Sequence, residues 1–426
     1  MPSINWLLEP ALIVFLLLGG TVANRRRRCS YSRINLGTPK DDQSISSFED
    51  GLSSDDEDSV YANDNAVPSC VFSITGSRDK QSWRTRNIGI FGWETSIATP
   101  DTRQYRGYFM SRMLYRYPFL IEAWYWFLIY WVYQIARAVG ALRINQGVVH
   151  LARDHAFQLI SLEQALHIFH ELSFQHAFLQ YPNVMAFINA TYSYVHIPAT
   201  ILFLITLHYI TITSTSTAES LHPSTALGDH PTQSLTGSAL YQARRRTLAT
   251  ANLIAFIVFT TWPLMPPRLL SDTAVTGPSG EKARAFGFQD TVHRTGKDEG
   301  SIWTTNKFCI QWAAMPSLHF GYALLIGLTL MRLPLRTRER GLLSWRRTIC
   351  VGFGLGYPLL ILVAVIATAN HFFLDVVGGA IVIALAWAGE RVLLNLLPLE
   401  DWALSFLRIH KPEDETGSAA IKWERD

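Results

Sequence analysis

The fold class this sequence predicts is an all-α polytopic membrane protein. Three observations predict it: a shortage of charge, a series of long apolar segments, and basic clusters that alternate with them. Of 426 residues, 49% are hydrophobic and 17% charged, against roughly 25% charged in soluble domains. A bilayer-spanning helix needs about 20 mostly apolar residues. Six stretches qualify, at about 118–142, 187–211, 247–265, 315–331, 348–367 and 372–397. A weaker seventh, 6–23, has no positive charge before it and Arg25–Arg28 directly behind. That order is the reverse of a cleaved signal peptide, so the expectation is an N-terminal membrane anchor.

Cytoplasmic loops collect Lys and Arg, which tests the alternation. With seven spans, Arg25–Arg28, Arg112 with Arg116, Arg244–Arg246 and the basic stretch 332–347 all fall on one side. The C-terminal tail then lies in the cytosol, and the connection 266–312 faces the lumen or exterior. A net charge of +3 without a basic stripe argues against nucleic acid as a partner. The four cysteines, Cys29, Cys70, Cys309 and Cys350, form no CxxC pair and so indicate neither a disulfide framework nor a zinc knuckle.

The chain divides into an anchor with its basic stop at 1–28, a linker at 29–104, a polytopic domain at 105–398 and a cytosolic tail at 399–426. The linker contains "DDQSISSFEDGLSSDDEDSVYANDNAVPS", acidic and poor in large apolar residues, so it is expected to be disordered. The Ser/Thr-rich loop 213–239 reads as a second linker.

Three span ends on the predicted lumenal side carry unusual chemistry. The first is "TWPLMPPRLL", where prolines stop the helix and Arg268 follows. The second is "MPSLH", with Ser317 as a candidate helix cap and His319 in the first turn. The third is "NHFFLD", where His371 and Asp375 are four apart and would share a helix face. A carboxylate that holds one imidazole nitrogen fixes the tautomer and leaves the other nitrogen as nucleophile or base. Asp375 would orient His371, and His319 would carry the proton a leaving oxygen needs. Arg268, Ser317 and Asn370, with helix N-terminal amides, would bind a phosphate group. Either histidine alone would read as an interfacial residue. Three such ends on one face read as a site, because ionisable groups at membrane depth are functional candidates by default.

"PPRLL", "MPSLH" and "NHFFLDVVGG" resemble the three phosphate-site motifs of the type 2 phosphatidic acid phosphatase superfamily, over about 251–388. The resemblance implies a six-helix core, no metal or other cofactor, and a phosphohistidine intermediate. It implies His371 as nucleophile, Asp375 as its orienter and His319 as general acid. The chain departs from the phosphatase pattern at Leu318, where glycine is usual, and at Thr261, Leu269 and Val365, where Lys, Pro and Arg are usual. "MPSLH" and the His-Phe-x-x-Asp run are closer to the branch containing fungal inositol phosphorylceramide synthase, as is "FINATYSYVHIPATILF" from Phe187.

That branch implies transfer of a phosphoinositol head group to a lipid hydroxyl, with membrane lipids as substrates and a lumenal site in the Golgi or endoplasmic reticulum. Lys307 or Arg294 would assist Arg268. Two alternatives stay open: a lipid phosphate or isoprenoid diphosphate phosphatase, and a non-catalytic scaffold or transporter with a degenerate site. An accessory membrane subunit is also left open.

The stretch "SLEQALHIFHELSFQH" sets Glu163, His167, His170 and Glu171 at helical spacing. It reads as an amphipathic helix at the lumenal interface, with a carboxylate-bridged metal site as the lesser reading. His196 and His208 read as hydrogen-bonded helix contacts. Glu122 reads as a snorkelling side chain. Asn189 heads an "NAT" glycosylation signal inside an apolar run.

Overall fold

The computed structural model describes residues 5–26, 83–90, 92–142, 146–213, 238–273, 275–292, 312–333 and 345–411. In chain order these form α1 (Asn5–Ala23), strands β1 (Trp83–Ile90) and β2 (Trp93–Pro100), α2 (Phe109–Arg116), α3 (Phe119–Leu142), α4 (Gln146–Ala165), α5 (Glu171–Leu179), α6 (Pro182–Ala190) and α7 (His196–His208). After them come α8 (Ser238–Thr261), α9 (Pro278–Ala285), α10 (Leu318–Met331), α11 (Trp345–Ala367), α12 (Phe373–Ala388) and α13 (Leu397–Phe406). The molecule is mostly helical, as the apolar segments require.

Two helical segments are long and apolar enough to cross a membrane: Pro182–Thr213, which runs α6 and α7 together, and Trp345–Ala367. A third candidate is the pair Phe373–Ala388 and Glu390–Phe406, bent by 54°. Pro10–Ala23, Phe119–Val132 and Leu318–Met331 are shorter apolar helices. At 1.5 Å per residue, α10 covers about 21 Å, less than the roughly 30 Å hydrocarbon core. It begins at Leu318, directly after the Ser317 cap.

Small residues let α10, α11 and α12 approach closely. A Cβ on Gly327 would run into the Gly354 carbonyl, and one on Gly354 would lie 2.6 Å from Met331 Cγ. Apolar tails of lipid and protein are equally hydrophobic, so close packing of small residues carries helix association in a membrane.

The basic triplet lies inside α8, not ahead of it. Arg244 stacks 3.2 Å over the Trp387 ring, Arg245 pairs with Glu122 at 2.6 Å, and Arg246 pairs with Glu390 at 2.5 Å. Arg332, at the end of α10, also lies over Trp387 at 5.5 Å. The start of α8 and the ends of α10 and α12 therefore share one basic pole. Glu122 is a buried ion-pair partner there, in place of the expected snorkelling side chain.

Two expectations need correction. Residues 83–90 and 93–100, within the segment expected to be disordered, pair as the two strands of a β-hairpin with Trp83 opposite Pro100 and Ile90 opposite Trp93. Gly92, at φ 86°, supplies the left-handed turn position. An isolated hairpin is marginal, and this one is pinned to the chain end. Arg86 binds Asp401 through two hydrogen bonds of 2.7 and 3.0 Å, Thr99 Oγ1 donates to the same carboxylate at 2.9 Å, and Asn395 brackets Gly89. The start of the predicted tail is accordingly a packed helix, α13. Residues 29–82 and 412–426 lie outside the described residues.

Candidate functional site

The three motif ends meet at the pole opposite the basic one, joined through backbone hydrogen bonds. Arg268 N donates to Ala369 O at 2.8 Å, and Ser317 N donates to Asp375 O at 2.9 Å. A short bridge between Leu264 and the 312–314 segment completes the frame: Leu264 N donates to Trp312 O at 2.9 Å and Ala314 N to Leu264 O at 3.1 Å. Met265 N donates to Ala152 O at 3.0 Å, which ties α4 to the same frame. Leu264, Ala314, Ala369 and Phe372 belong to one buried apolar cluster with Ala152 and Ala156 of α4.

All six residues picked out from the sequence lie in this frame. Arg268 is 7% exposed; its Nε donates to Asn370 Oδ1 at 2.8 Å and its Nη1 to Asp290 Oδ2 at 3.0 Å. Asn370 Nδ2 donates in turn to Thr368 Oγ1 at 2.7 Å, which fixes the amide orientation. Ser317 is fully buried and caps α10, its Oγ accepting from Phe320 N at 3.5 Å. His319 sits in the first turn of α10, half-buried, with its ring centroid 6.0 Å from that of His371.

His371 does not share a helix face with Asp375, contrary to the expectation. It stands ahead of α12, whose first helical residue is Phe373. Its Nδ1 lies 2.8 Å from Ala314 O and 3.6 Å from Asp375 Oδ2. A carbonyl only accepts, so Nδ1 carries the proton and Nε2 keeps its lone pair. Asp375 Oδ2 stays within ion-pair distance of that nitrogen and also accepts Phe372 N–H at 2.9 Å, the carboxylate half of a capping box.

Several site residues were not picked out from the sequence. The His319 ring stacks on Tyr192 at 4.6 Å and lies 4.9 Å from His196. His196 Nδ1 meets Tyr357 Oη at 2.9 Å, so it is a hydrogen-bonded helix contact, as expected, and also a wall for His319. Asp290 belongs to the segment after α9. That segment is held by Gln175, whose amide brackets Gln289, and by Asn189, whose Nδ2 donates to Thr291 O at 3.1 Å and whose Oδ1 accepts from Thr291 Oγ1 at 3.2 Å. Asn189 thus acts as a tether. Arg294 and Lys307 lie outside the described residues.

Glu163 and Glu171 also face the site. Glu171 Oε1 accepts Phe373 N–H at 2.9 Å and Glu163 Oε1 accepts Leu374 N–H at 2.8 Å. Burial, then a hydrogen bond with Glu171, pushes the Glu163 carboxyl up to about 9. Both glutamates hold the start of α12 through Oε1, and no group of three or more metal-ligating side chains gathers among the described residues.

The arrangement can hold a phosphate group between a fixed guanidinium and two imidazoles, one with its tautomer set. Comparisons with curated proteins and with solved structures return no match. The PAP2 superfamily model matches residues 157–221 and 235–389, so that Glu163, Tyr192, Arg268, Ser317, His319, His371 and Asp375 all fall within it. The matched residues are more than half of the chain, which therefore belongs to the PAP2 superfamily and is an integral membrane enzyme of the type 2 phosphatidic acid phosphatase type, a phosphatase or phosphotransferase.

Proposed function

We propose that the protein transfers a phosphoryl-linked head group, phosphoinositol being the preferred one, from a donor phospholipid to a lipid hydroxyl through a phosphohistidine. The observation that carries this reading is the His319–His371 pair, 6.0 Å apart between ring centroids, with His371 Nδ1 held on Ala314 O. His371 Nε2 attacks phosphorus, the bond to the donor lipid oxygen breaks, and protonated His319 gives its proton to that oxygen. Neutral His319 then takes the proton of the acceptor hydroxyl, whose oxygen attacks phosphorus and releases the His371 imidazole. Asp375 Oδ2, 3.6 Å away, stabilises the positive charge His371 gains in the first step. Arg268 and Asn370 hold the phosphoryl oxygens, and the Ser317 cap keeps His319 in the first turn of α10. No metal or other cofactor takes part.

The pairing of Arg268 with Asp290 supports a phosphodiester over a monoester as substrate. A nearby carboxylate offsets part of the guanidinium charge, and a diester carries one negative charge where a monoester carries nearly two. The gathering of Arg244, Arg245, Arg246 and Arg332 at the far pole supports a lumenal site under the positive-inside rule. A Golgi or endoplasmic reticulum membrane suits such a site. The remaining architecture we propose is a six-helix core within 105–398 and an anchor at 1–28.

The test uses membranes containing the wild type or His371→Ala, supplied with labelled phosphatidylinositol and ceramide. A new ceramide-containing phospholipid made by the wild type alone is the expected result. Release of water-soluble phosphate from lipid phosphates without that product would replace transfer by hydrolysis.

A further inference from the structure

Three consecutive amides at the start of α12 end on three different carboxyl groups: Phe372 N on Asp375, Phe373 N on Glu171 and Leu374 N on Glu163. A helix start leaves its first amides without intrahelical backbone acceptors; Phe372 N is satisfied by Asp375 within α12 itself, whereas Phe373 N and Leu374 N are satisfied from α5 and α4, more than 200 residues earlier in the chain. Glu163 and Glu171 are fully buried; no N–H or hydroxyl donor among the described residues reaches the Oε2 atom of either, and the Glu163 carboxyl has the Glu171 side chain as its hydrogen-bond neighbour. Two ionised carboxylates side by side in a buried site repel strongly, whereas one proton shared between their free oxygens satisfies both.

We propose that Glu163 and Glu171 share one proton between their Oε2 atoms and act as a positioning pair that fixes the start of α12, and with it His371, against the Ala314 carbonyl. The raised affinity of Glu163 for its proton agrees with this. The ionisable groups facing the pair are Asp375 from α12 and, beyond it, His371. His371 lies two residues before Phe373, so a displaced helix start moves the imidazole directly. The consequence for turnover rests on His371 being the nucleophile.

Substituting glutamine tests the proton count. In Glu163→Gln the side-chain carbonyl still accepts Leu374 N–H and the amide nitrogen donates to Glu171 Oε2, so kcat falls by no more than about threefold. Glu171→Gln behaves likewise. In the double variant both carbonyls are taken by backbone amides and two NH2 groups face each other. There kcat falls by about 100-fold, as for a nucleophile misplaced by about 1 Å, with KM little changed. The thermal midpoint in detergent drops below those of both single variants.

A single glutamine variant as inactive as Glu163→Ala, or a double variant as active as the singles, overturns the proposal. The thermal midpoints read the pair without reference to activity. If His371→Ala remains active while the midpoints follow the predicted order, the catalytic reading fails and the pair stands.

Discussion

His371 is oriented by Ala314: Nδ1 lies 2.8 Å from that backbone carbonyl, closer than the 3.6 Å to Asp375 Oδ2. The tautomer is therefore set by the segment before α10, which in the proposed mechanism leaves Asp375 to act through charge and through its bond to Phe372 N. Asp375→Asn keeps an oxygen for that amide but removes the charge. Its kcat is expected to fall by about 10- to 100-fold, on the order of 1.4–2.7 kcal/mol in the barrier, with KM little changed. Asp375→Ala, which also strips the Phe372 amide of its acceptor, is expected to fall further. Steady-state kcat and KM of the two variants check this, and equal losses would count against it.

Asp290 bears on substrate charge through its 3.0 Å bond to Arg268. Asp290→Asn leaves a side-chain oxygen for the guanidinium and removes the opposing charge. Inhibition by inorganic phosphate, a mimic of a dianionic monoester, is expected to strengthen by about tenfold, or roughly 1.4 kcal/mol. Turnover of lipid diesters should change much less. Phosphate inhibition constants for both proteins measure the difference, and an unchanged constant would remove Asp290 from charge selection.

Gly379 of α12 faces the Ser317 carbonyl so closely that a Cβ there would overlap it. Gly379→Ala must push α10 and α12 apart at the cap that places His319, with an expected cost of about 1–3 kcal/mol and a loss of transfer activity. Gly352, with nothing within 4 Å of a Cβ, is the control. Alanine at that position should be neutral or stabilising by up to about 1 kcal/mol. Thermal midpoints in detergent and activity, measured on both variants, separate a tight contact from a general intolerance of alanine in these helices.

The residues of the candidate site are legible in the sequence and their supports are not. Arg268, Ser317, His319, Asn370, His371 and Asp375 stand at the ends of apolar segments, where a polar residue interrupts an apolar run and so draws notice. Ala314, Tyr192 and Asp290 reach the site through tertiary contacts, and nothing in their local sequence marks them. Glu163 and Glu171 were visible as a spaced pair of acids, but their acceptor role needs the start of α12, which no local pattern supplies. The hairpin at 83–100 had a signal in its β-branched residues and Gly92. The acidic run before it masks that signal, and the strands are held by Asp401 and Asn395, some 300 residues away. The expected His371–Asp375 helix face failed because spacing by four implies a shared face only inside a helix, and His371 lies outside it.

The Glu163 carboxyl carries the last prediction, through its displacement from an ordinary 4.5 up to about 9 by burial and the bond to Glu171. A carboxyl with a raised folded-state value binds its proton more tightly when folded. The resulting stabilisation is fully present below about 4.5 and is lost as pH rises through about 9. Thermal stability, and with it turnover, is therefore expected to decline on the alkaline side as the shared proton leaves and Glu163, Glu171 and Asp375 come to repel one another. Glu163→Gln has no proton to lose at that position. Its thermal midpoint should stay flat between about pH 7 and 10 where that of the wild type falls. A parallel decline in both proteins would assign the alkaline transition to another group.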